Sequence, residues 1–267
     1  MTKEKKQLPL RLRVFAGPNG SGKSTVIEQV KKYKSGGKYI DFGFFINADD
    51  IAVSLKAKDF SFAPYQITTT KKDFLAIAVA SGLINENFSK ARFVKSFIIK
   101  KNSFKLLLPE ENERLAQIIA DYLRKKLLIA RKRFSFETVF SHSSKLDIMR
   151  QAAEAGYKVY LYYVSTESPT INIFRVAARA EQGGHDVPHE KIKSRYYRSL
   201  DLLYDASHLV YQAYYFDNSK DGEDFRMFAH FRKRKSKKKW DPLHKKEIPN
   251  WFKTYYLRKV LENAIAK

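Results

Sequence analysis

Along most of the chain, short apolar runs alternate with longer stretches in which apolar residues recur every three or four positions. That is the pattern of strands joined by crossover helices. Residues 10–16 (LRLRVFA) read as a buried strand and residues 39–46 (YIDFGFFI) as a second. Residues 64–83 are helical in pattern, and residues 109–131 are strongly amphipathic, with Leu115, Ile118, Ile119, Tyr122 and Leu123 on the apolar side. A short strand over 134–136 comes next, then a helix over 145–155 that Ser143 or Ser144 caps and Gly156 ends. Residues 158–164 (KVYLYYV) form the most strand-like run. Helices over 170–182 and 188–203 and strands over 209–216 and 225–231 complete the series. No internal repeat is present. The pattern predicts an α/β fold with a mainly parallel sheet flanked by helices.

One junction in this pattern carries chemistry. The first strand runs directly into Gly17-Pro18-Asn19-Gly20-Ser21-Gly22-Lys23-Ser24, and a helical pattern starts at Thr25. This is G-x-x-x-x-G-K-[ST] in the strand–loop–helix setting that a P-loop requires. Successive backbone N–H groups must face one anion, so side chains at Gly17, Gly20 and Gly22 would obstruct the wrap. The helix N-terminus adds partial positive charge. The spacing assigns residues 17–25 to a nucleoside triphosphate, with Lys23 on the β- and γ-phosphates and Ser24 on Mg²⁺. ATP and Mg²⁺ are thus the expected cofactors. In an open α/β sheet the ligand crevice lies beyond the carboxyl ends of the strands. Asn47 to Asp50, Glu137-Thr138 and Asp217-Asn218-Ser219 all fall at such ends, beside the P-loop.

Charge and cysteine content narrow the setting. Fifty-one Lys and Arg against 28 Asp and Glu give a net charge of +23, which favours anionic partners. Thirteen basic and three acidic residues lie between Arg232 and Lys267, and residues 88–109 hold six basic residues and no acid. Without cysteine there is no disulfide, thiol nucleophile or thiolate zinc site. No histidine spacing suggests a metal centre, and His142, His185 and His189 read as polar surface or site residues. No apolar run approaches the roughly 20 residues of a membrane span, and the N-terminus lacks the apolar stretch of a secretory signal. The expected location is the cytoplasm, with no membrane partner.

The P-loop, the N-x-D pair Asn47 and Asp49, the F-x-x-E-T run (Phe134, Glu137, Thr138) and the segment holding Arg175, Arg179, Gly183 to Pro188 and Arg195 occur in that order. Together they resemble the zeta-toxin family of P-loop kinases over about residues 10–220. The resemblance implies phosphoryl transfer from ATP to a hydroxyl of a small acceptor, in the best-known members UDP-N-acetylglucosamine, and a protein antitoxin as partner. It assigns the general base to Asp49, with Asp50 one residue away as the alternative. It also gives acceptor binding to Asn47, Glu137 and Thr138. On the residues alone, Asn47 or Asp49 is equally suited to capping the following helix, and Glu137 to pairing with Arg131 or Arg133. Arg175 and Arg179, spaced i, i+4, share a helix face suited to charge on a transferring phosphoryl group, or to solvent. Better-known toxins carry a further phosphate-contacting arginine near Gly183-Gly184-His185, where His185, Arg195 and Arg198 are the candidate replacements. In related kinases the loop at Asp217-Asn218-Ser219 borders the adenine; turn chemistry alone also accounts for it.

Two regions fall outside the resemblance. Residues 83–109 read as a helical and basic insertion in a domain over 1–231. Their interleaved Phe88, Arg92, Phe93, Lys95, Phe97, Lys100, Lys101, Phe104 and Lys105 suit either a covering amphipathic hairpin or stacking on a nucleic-acid strand. Residues 232–267 read as a basic C-terminal extension: a nucleic-acid arm, an antitoxin-docking element or a solvated appendage. A polynucleotide kinase or other nucleic-acid-processing P-loop enzyme is the alternative function. A nucleotide-binding protein without catalysis is a third.

Overall fold

The computed structural model describes residues 9–184, 186–235, 237–243 and 247–266. The chain divides into two compact units, the first made of Met1–Phe42 with Glu137–Lys267 and the second of Gly43–Phe136. In the first, β1 (Arg11–Ala16) leads through the P-loop into α1 (Lys23–Lys32), followed by a small exposed hairpin, β2 (Lys34–Ser35) and β3 (Lys38–Tyr39). The single strand expected over 39–46 is therefore split. Gly43, at φ +60°, breaks the extended run, and its place against the Arg133 carbonyl leaves no room for a Cβ.

The second unit begins with β4 (Phe44–Ile46), α2 (Ala48–Ala57) and β5 (Phe60–Ser61). Next come α3 (Lys71–Val79), α4 (Lys90–Lys95), β6 (Phe97–Lys100), β7 (Ser103–Leu106) and α5 (Asn112–Ile129). β8 (Phe134–Thr138) pairs with β4 in parallel and carries the chain back into the first unit. The helix expected over 64–83 is only α3, because Thr70 caps it by accepting from the Asp73 N–H at 3.1 Å. The expected insertion is part of this unit's body: β6 and β7 form a hairpin, and β7 also pairs with β5. The hairpin turns on Lys101 and Asn102 at φ +47° and +60°, the left-handed pair that a two-residue turn needs. Phe62, Phe74, Phe93, Phe97, Phe104 and Tyr122 are fully buried or nearly so. They meet in stacked and edge-on pairs, such as Phe97 on Phe104 at 4.7 Å and Phe74 on Tyr122 at 5.0 Å.

The first unit continues with α6 (Ser144–Glu154), β9 (Lys158–Ser165), α7 (Pro169–Glu181), α8 (His189–Asp201) and α9 (Leu203–Leu209). It closes with β10 (Gln212–Asp217), β11 (Arg226–Arg234) and β12 (Lys237–Trp240), then α10 (Asn250–Phe252), a π-turn at Lys253–Leu257 and α11 (Arg258–Ile265). β1, β9 and β10 are parallel, and β11 and β12 extend the sheet antiparallel. The fold is α/β with a mainly parallel sheet flanked by helices. Rings of neighbouring strands stack in a row: Phe15 on Tyr162 at 4.6 Å, Tyr162 on Tyr214 at 4.8 Å, Tyr214 on His230 at 4.5 Å. Arg13, 4% exposed within β1, donates to the Asp41 carbonyl at 2.9 Å and the Tyr162 hydroxyl at 3.1 Å, so its buried charge is well hydrogen-bonded.

The boundary expected at residue 232 falls inside β11, and the chain beyond it is no appendage. Trp251, Phe252 and Tyr256 are buried, Trp240 packs on Phe231 at 4.8 Å, and the indole N–H of Trp251 donates to Asp217 at 2.9 Å. Among the described residues, no helix is long and apolar enough to cross a membrane.

Candidate functional site

The P-loop bridges the end of β1 and the start of α1, whose N-cap, Gly22, offers no side chain to the helix's first N–H groups. A helix start without a side-chain cap suits an outside acceptor. The Ser21 hydroxyl is buried with no hydrogen-bond partner among the described residues. Lys23, 7% exposed, donates to the Pro18 carbonyl at 2.9 Å, and its ammonium stands 3.7 Å from Glu137 Oε1. Ser24 and Thr25 are exposed at the first turn of α1.

Two asparagines hold this loop, each beside a glycine. Asn172 of α7, fully buried, donates its amide to the Asn19 carbonyl at 2.6 Å while its own oxygen accepts from the Thr166 hydroxyl. Asn218, just past β10, donates to the Ser21 carbonyl at 3.0 Å. Engaging these two carbonyls from outside fixes the loop's peptide planes and helps turn its N–H groups inward. A Cβ on Gly20 would lie 2.6 Å from the Asn172 carbonyl oxygen, and one on Gly22 would overlap the Asn218 amide. The glycines therefore serve the brace as well as the turns of the loop itself. Sequence reasoning missed Asn172. Its signal is a polar residue four positions before Val176, on the buried stripe of an amphipathic helix, where an amide needs a partner.

The other candidates divide between the loop and its surroundings. Glu137 lies at the P-loop through Lys23. The Thr138 hydroxyl accepts from the Phe140 N–H at 3.0 Å, bracing a turn in which buried Phe140 takes φ +60°. Arg175 does not turn to the P-loop. Its guanidinium donates to the Asn218 carbonyl at 2.7 Å and to Asp221 at 2.5 and 3.1 Å, so it clamps the loop that carries Asn218. Arg179 is exposed on the same helix. Of the three candidate replacements for the further arginine, Arg195 reaches the P-loop, its guanidinium 3.4 Å from the Asn19 side-chain oxygen. Arg198 is exposed and donates to the Ser194 carbonyl at 3.4 Å, and His185 lies outside the described residues. Asp217 accepts from Trp251 and from the Ser219 hydroxyl, tying the C-terminal helices to the same loop.

Asn47 and Asp49 belong to the second unit. Asn47 caps α2, accepting from the Asp49 N–H at 2.9 Å, which is the capping role that the sequence left open. The Asp49 and Asp50 carboxylates lie exposed in the first turn of α2. Beside them a cavity of about 710 Å³ is lined by Phe44, Asp50, Ser54, Phe60 and Tyr65. Burial and the Asp50 charge push the Tyr65 hydroxyl above its ordinary range, so it stays a neutral donor.

No protein-family model matches the chain. An uncharacterised protein of Haemophilus influenzae is 35% identical over 63 residues, which cover 24% of this chain and 45% of that protein. The chain is also similar to a structure from the PezAT chromosomal toxin-antitoxin system of Streptococcus pneumoniae, with a TM-score of 0.46 and 12% identity over 81% of this chain and 70% of that one. A second similar structure is AvrRxo1-ORF1:AvrRxo1-ORF2 with sulphate ions, with a TM-score of 0.49 and 16% identity over 83% of this chain and 58% of that one. The same pair solved with ATP gives 0.48, at 16% identity and the same coverage.

Proposed function

We propose that the chain is an ATP-dependent phosphotransferase that moves the γ-phosphoryl group to a hydroxyl of a small acceptor. A UDP-linked amino sugar is the acceptor that the zeta-toxin resemblance implies. The observation that carries the reading is the braced P-loop, with Lys23 buried inside it and Glu137 at 3.7 Å. The open helix N-terminus and the orphaned Ser21 hydroxyl suit the phosphates of ATP, and the exposed Ser24 hydroxyl suits the Mg²⁺ they carry. ATP supplies the phosphoryl group, and the protein's part is positioning and charge stabilisation.

In this reading Lys23 exchanges the Pro18 carbonyl for phosphate oxygens. Arg195, already at Asn19, and Arg179, exposed on α7, offer guanidinium groups to the charge that spreads during transfer. Arg175 acts at one remove, holding the loop of Asn218. The zeta-toxin resemblance assigns the general base to Asp49, whose carboxylate is exposed, and the acceptor hydroxyls to Glu137. The cavity beside α2, with aromatic walls and Asp50, is of a size and polarity that suit a small polar acceptor. An antitoxin protein is the partner implied by the resemblance.

The test is incubation with ATP labelled at the γ-position and a panel of UDP-sugars, nucleosides and 5′-hydroxyl oligonucleotides. Label is expected in a small hydroxyl acceptor. It should be lost in Lys23→Ala and fall by about 10²-fold or more in Asp49→Asn, while Asp50→Asn is far milder. Label in the oligonucleotide alone would replace this reading with a polynucleotide kinase. Unchanged ATP affinity in Lys23→Ala would overturn the P-loop assignment itself.

A further inference from the structure

The C-terminal elements of the first unit line a half-open cavity of about 300 Å³ that no part of the proposed chemistry uses. Its walls include Tyr204, His208, Trp240, Phe252 and Tyr256, and Lys238 of β12 is the cationic group among its lining residues. The Lys238 ammonium donates to the Tyr256 hydroxyl at 3.0 Å and lies 3.4 Å from His208 Nε2. It also stands over the Phe231 and Tyr256 rings at 5.1 and 5.3 Å. These partners are all uncharged, and no carboxylate pairs with Lys238 among the described residues. An ammonium half-buried among aromatic rings without a counter-ion loses hydration that hydroxyl and ring contacts restore only in part. Such an arrangement is complementary to an anion with an apolar body.

We infer that this cavity is a second binding site, which takes a small carboxylic acid: the carboxylate on Lys238 and the apolar body among the rings of Trp240, Phe252 and Tyr256. The volume lies at the lower end of small-molecule pockets and suits one ring or a short branched chain. The flanking charges agree with the sign. Lys233 donates to the His208 carbonyl and adds to the positive charge at Lys238, while Asp205 acts on His208. Burial, with Lys233 adding to it, holds the Lys238 ammonium down to about 8, while burial also keeps His208 largely neutral and Tyr256 protonated. A bound carboxylate would therefore raise the lysine's proton affinity, and binding would weaken once the pH passes the point where the free lysine gives up its proton.

Phenylacetate, its neutral isostere phenylacetamide and acetate would each be titrated into the full chain and followed by calorimetry and by the indole N–H signals in NMR. Phenylacetate is expected to bind at least about tenfold more tightly than phenylacetamide, the difference that one unpaired charge readily supplies. Acetate, lacking the body, should be weaker still. Affinity for phenylacetate should fall between about pH 7 and about pH 9.5, as Lys238 discharges. Lys238→Met keeps the stem over Phe231 and Tyr256 and should erase the preference for the acid. Equal binding of acid and amide to the wild-type protein, or no perturbation of the Trp240 signal by phenylacetate, would overturn the proposal. Both outcomes are read on the wild-type chain, so a variant that fails to fold leaves the test intact.

Discussion

Residues 88–109 and 232–267 look alike as sequences: each mixes aromatic rings with a run of lysines and arginines, and each lies outside the family resemblance. They fold on opposite plans. In the first, Phe88, Phe93, Phe97 and Phe104 all point inward and are at most 1% exposed, while Lys95, Lys100 and Lys105 remain outside. The rings lie within the second unit's core and are unavailable for stacking on a nucleic-acid strand. In the second, Lys233 and Lys238 are half-buried, and Lys238 is held among the rings by hydroxyl and ring contacts without a carboxylate. Interleaved charge and aromaticity thus marks an amphipathic strand or helix in general. A half-buried cation set among the rings is the feature behind the ligand proposal, and strict alternation does not reveal it.

The largest effect that could break this contrast is removal of the second region. Deletion from Arg232 onward takes away the end of β11, all of β12 and the buried Trp251, Phe252 and Tyr256. It also removes the Trp251 hydrogen bond to Asp217 and the Glu167 carboxylate's contact with the Asn250 N–H. The truncated chain is expected to lose its cooperative thermal transition, measured by circular dichroism and calorimetry. A soluble truncation that melts like the intact protein would show that the region is an appendage after all.

Next in size is a comparison within the first region. Phe104→Ala opens a cavity against Phe74 and Phe97 and should destabilise by about 3–5 kcal/mol. Urea unfolding measures it, provided the variant is compared with Ile98→Ala on the exposed face of the same hairpin, which should lose far less. A similar loss for both would mean that the ring row is not the core of this unit.

Part of this organisation is legible in the chain and part is not, for reasons that particular residues make plain. The P-loop is legible because its glycines, Lys23 and the strand–helix context are fixed by one local geometry. β9 and α5 are legible because period and composition agree along their whole length. β12 is not, since Lys237 to Trp240 become a strand only by pairing with Phe231 to Arg234, and a lysine run carries no local strand signal. The division at residues 43 and 136 leaves no mark in composition. Near the P-loop, the strand-end position of Glu137 agrees with its place 3.7 Å from Lys23, whereas the i, i+4 spacing of Arg175 and Arg179 points Arg175 to phosphates. Its contacts with Asn218 and Asp221 depend on a loop more than 40 residues away.

A third effect is smaller and depends on pH. Lys238 carries a folded-state value of about 8, against 10.5 for an exposed lysine. Because the folded value is the lower one, the charged form costs stability throughout the range below about pH 8. That cost disappears as the pH rises toward the unfolded value, and at neutral pH it is at most on the order of 3 kcal/mol. Lys238→Met removes the charge and keeps most of the packing. The variant should therefore equal or exceed the wild-type protein in stability near neutrality, with the wild type gaining on it between about pH 8 and about pH 10. The measurement is the difference between their denaturation midpoints across that range. A variant much weaker than wild type near neutrality would make Lys238 a structural residue like the rings around it.

The smallest effect tests the other half of the contrast. Lys100 and Lys105 sit on β6 and β7 with their side chains outward, and the described structure gives neither an ion pair nor a ring contact. Exchanging both for Ala removes two positive charges from a chain with a net +23 and opens no cavity. It should therefore change the unfolding free energy by no more than about 0.5 kcal/mol per site. The sign should favour the variant slightly at low ionic strength, where self-repulsion of the basic surface is least screened, and the gain should vanish as salt is added. A loss above about 1 kcal/mol that persists at high salt would mean that these lysine stems cover apolar surface, as Lys238 does. The two regions would then differ in degree and not in plan.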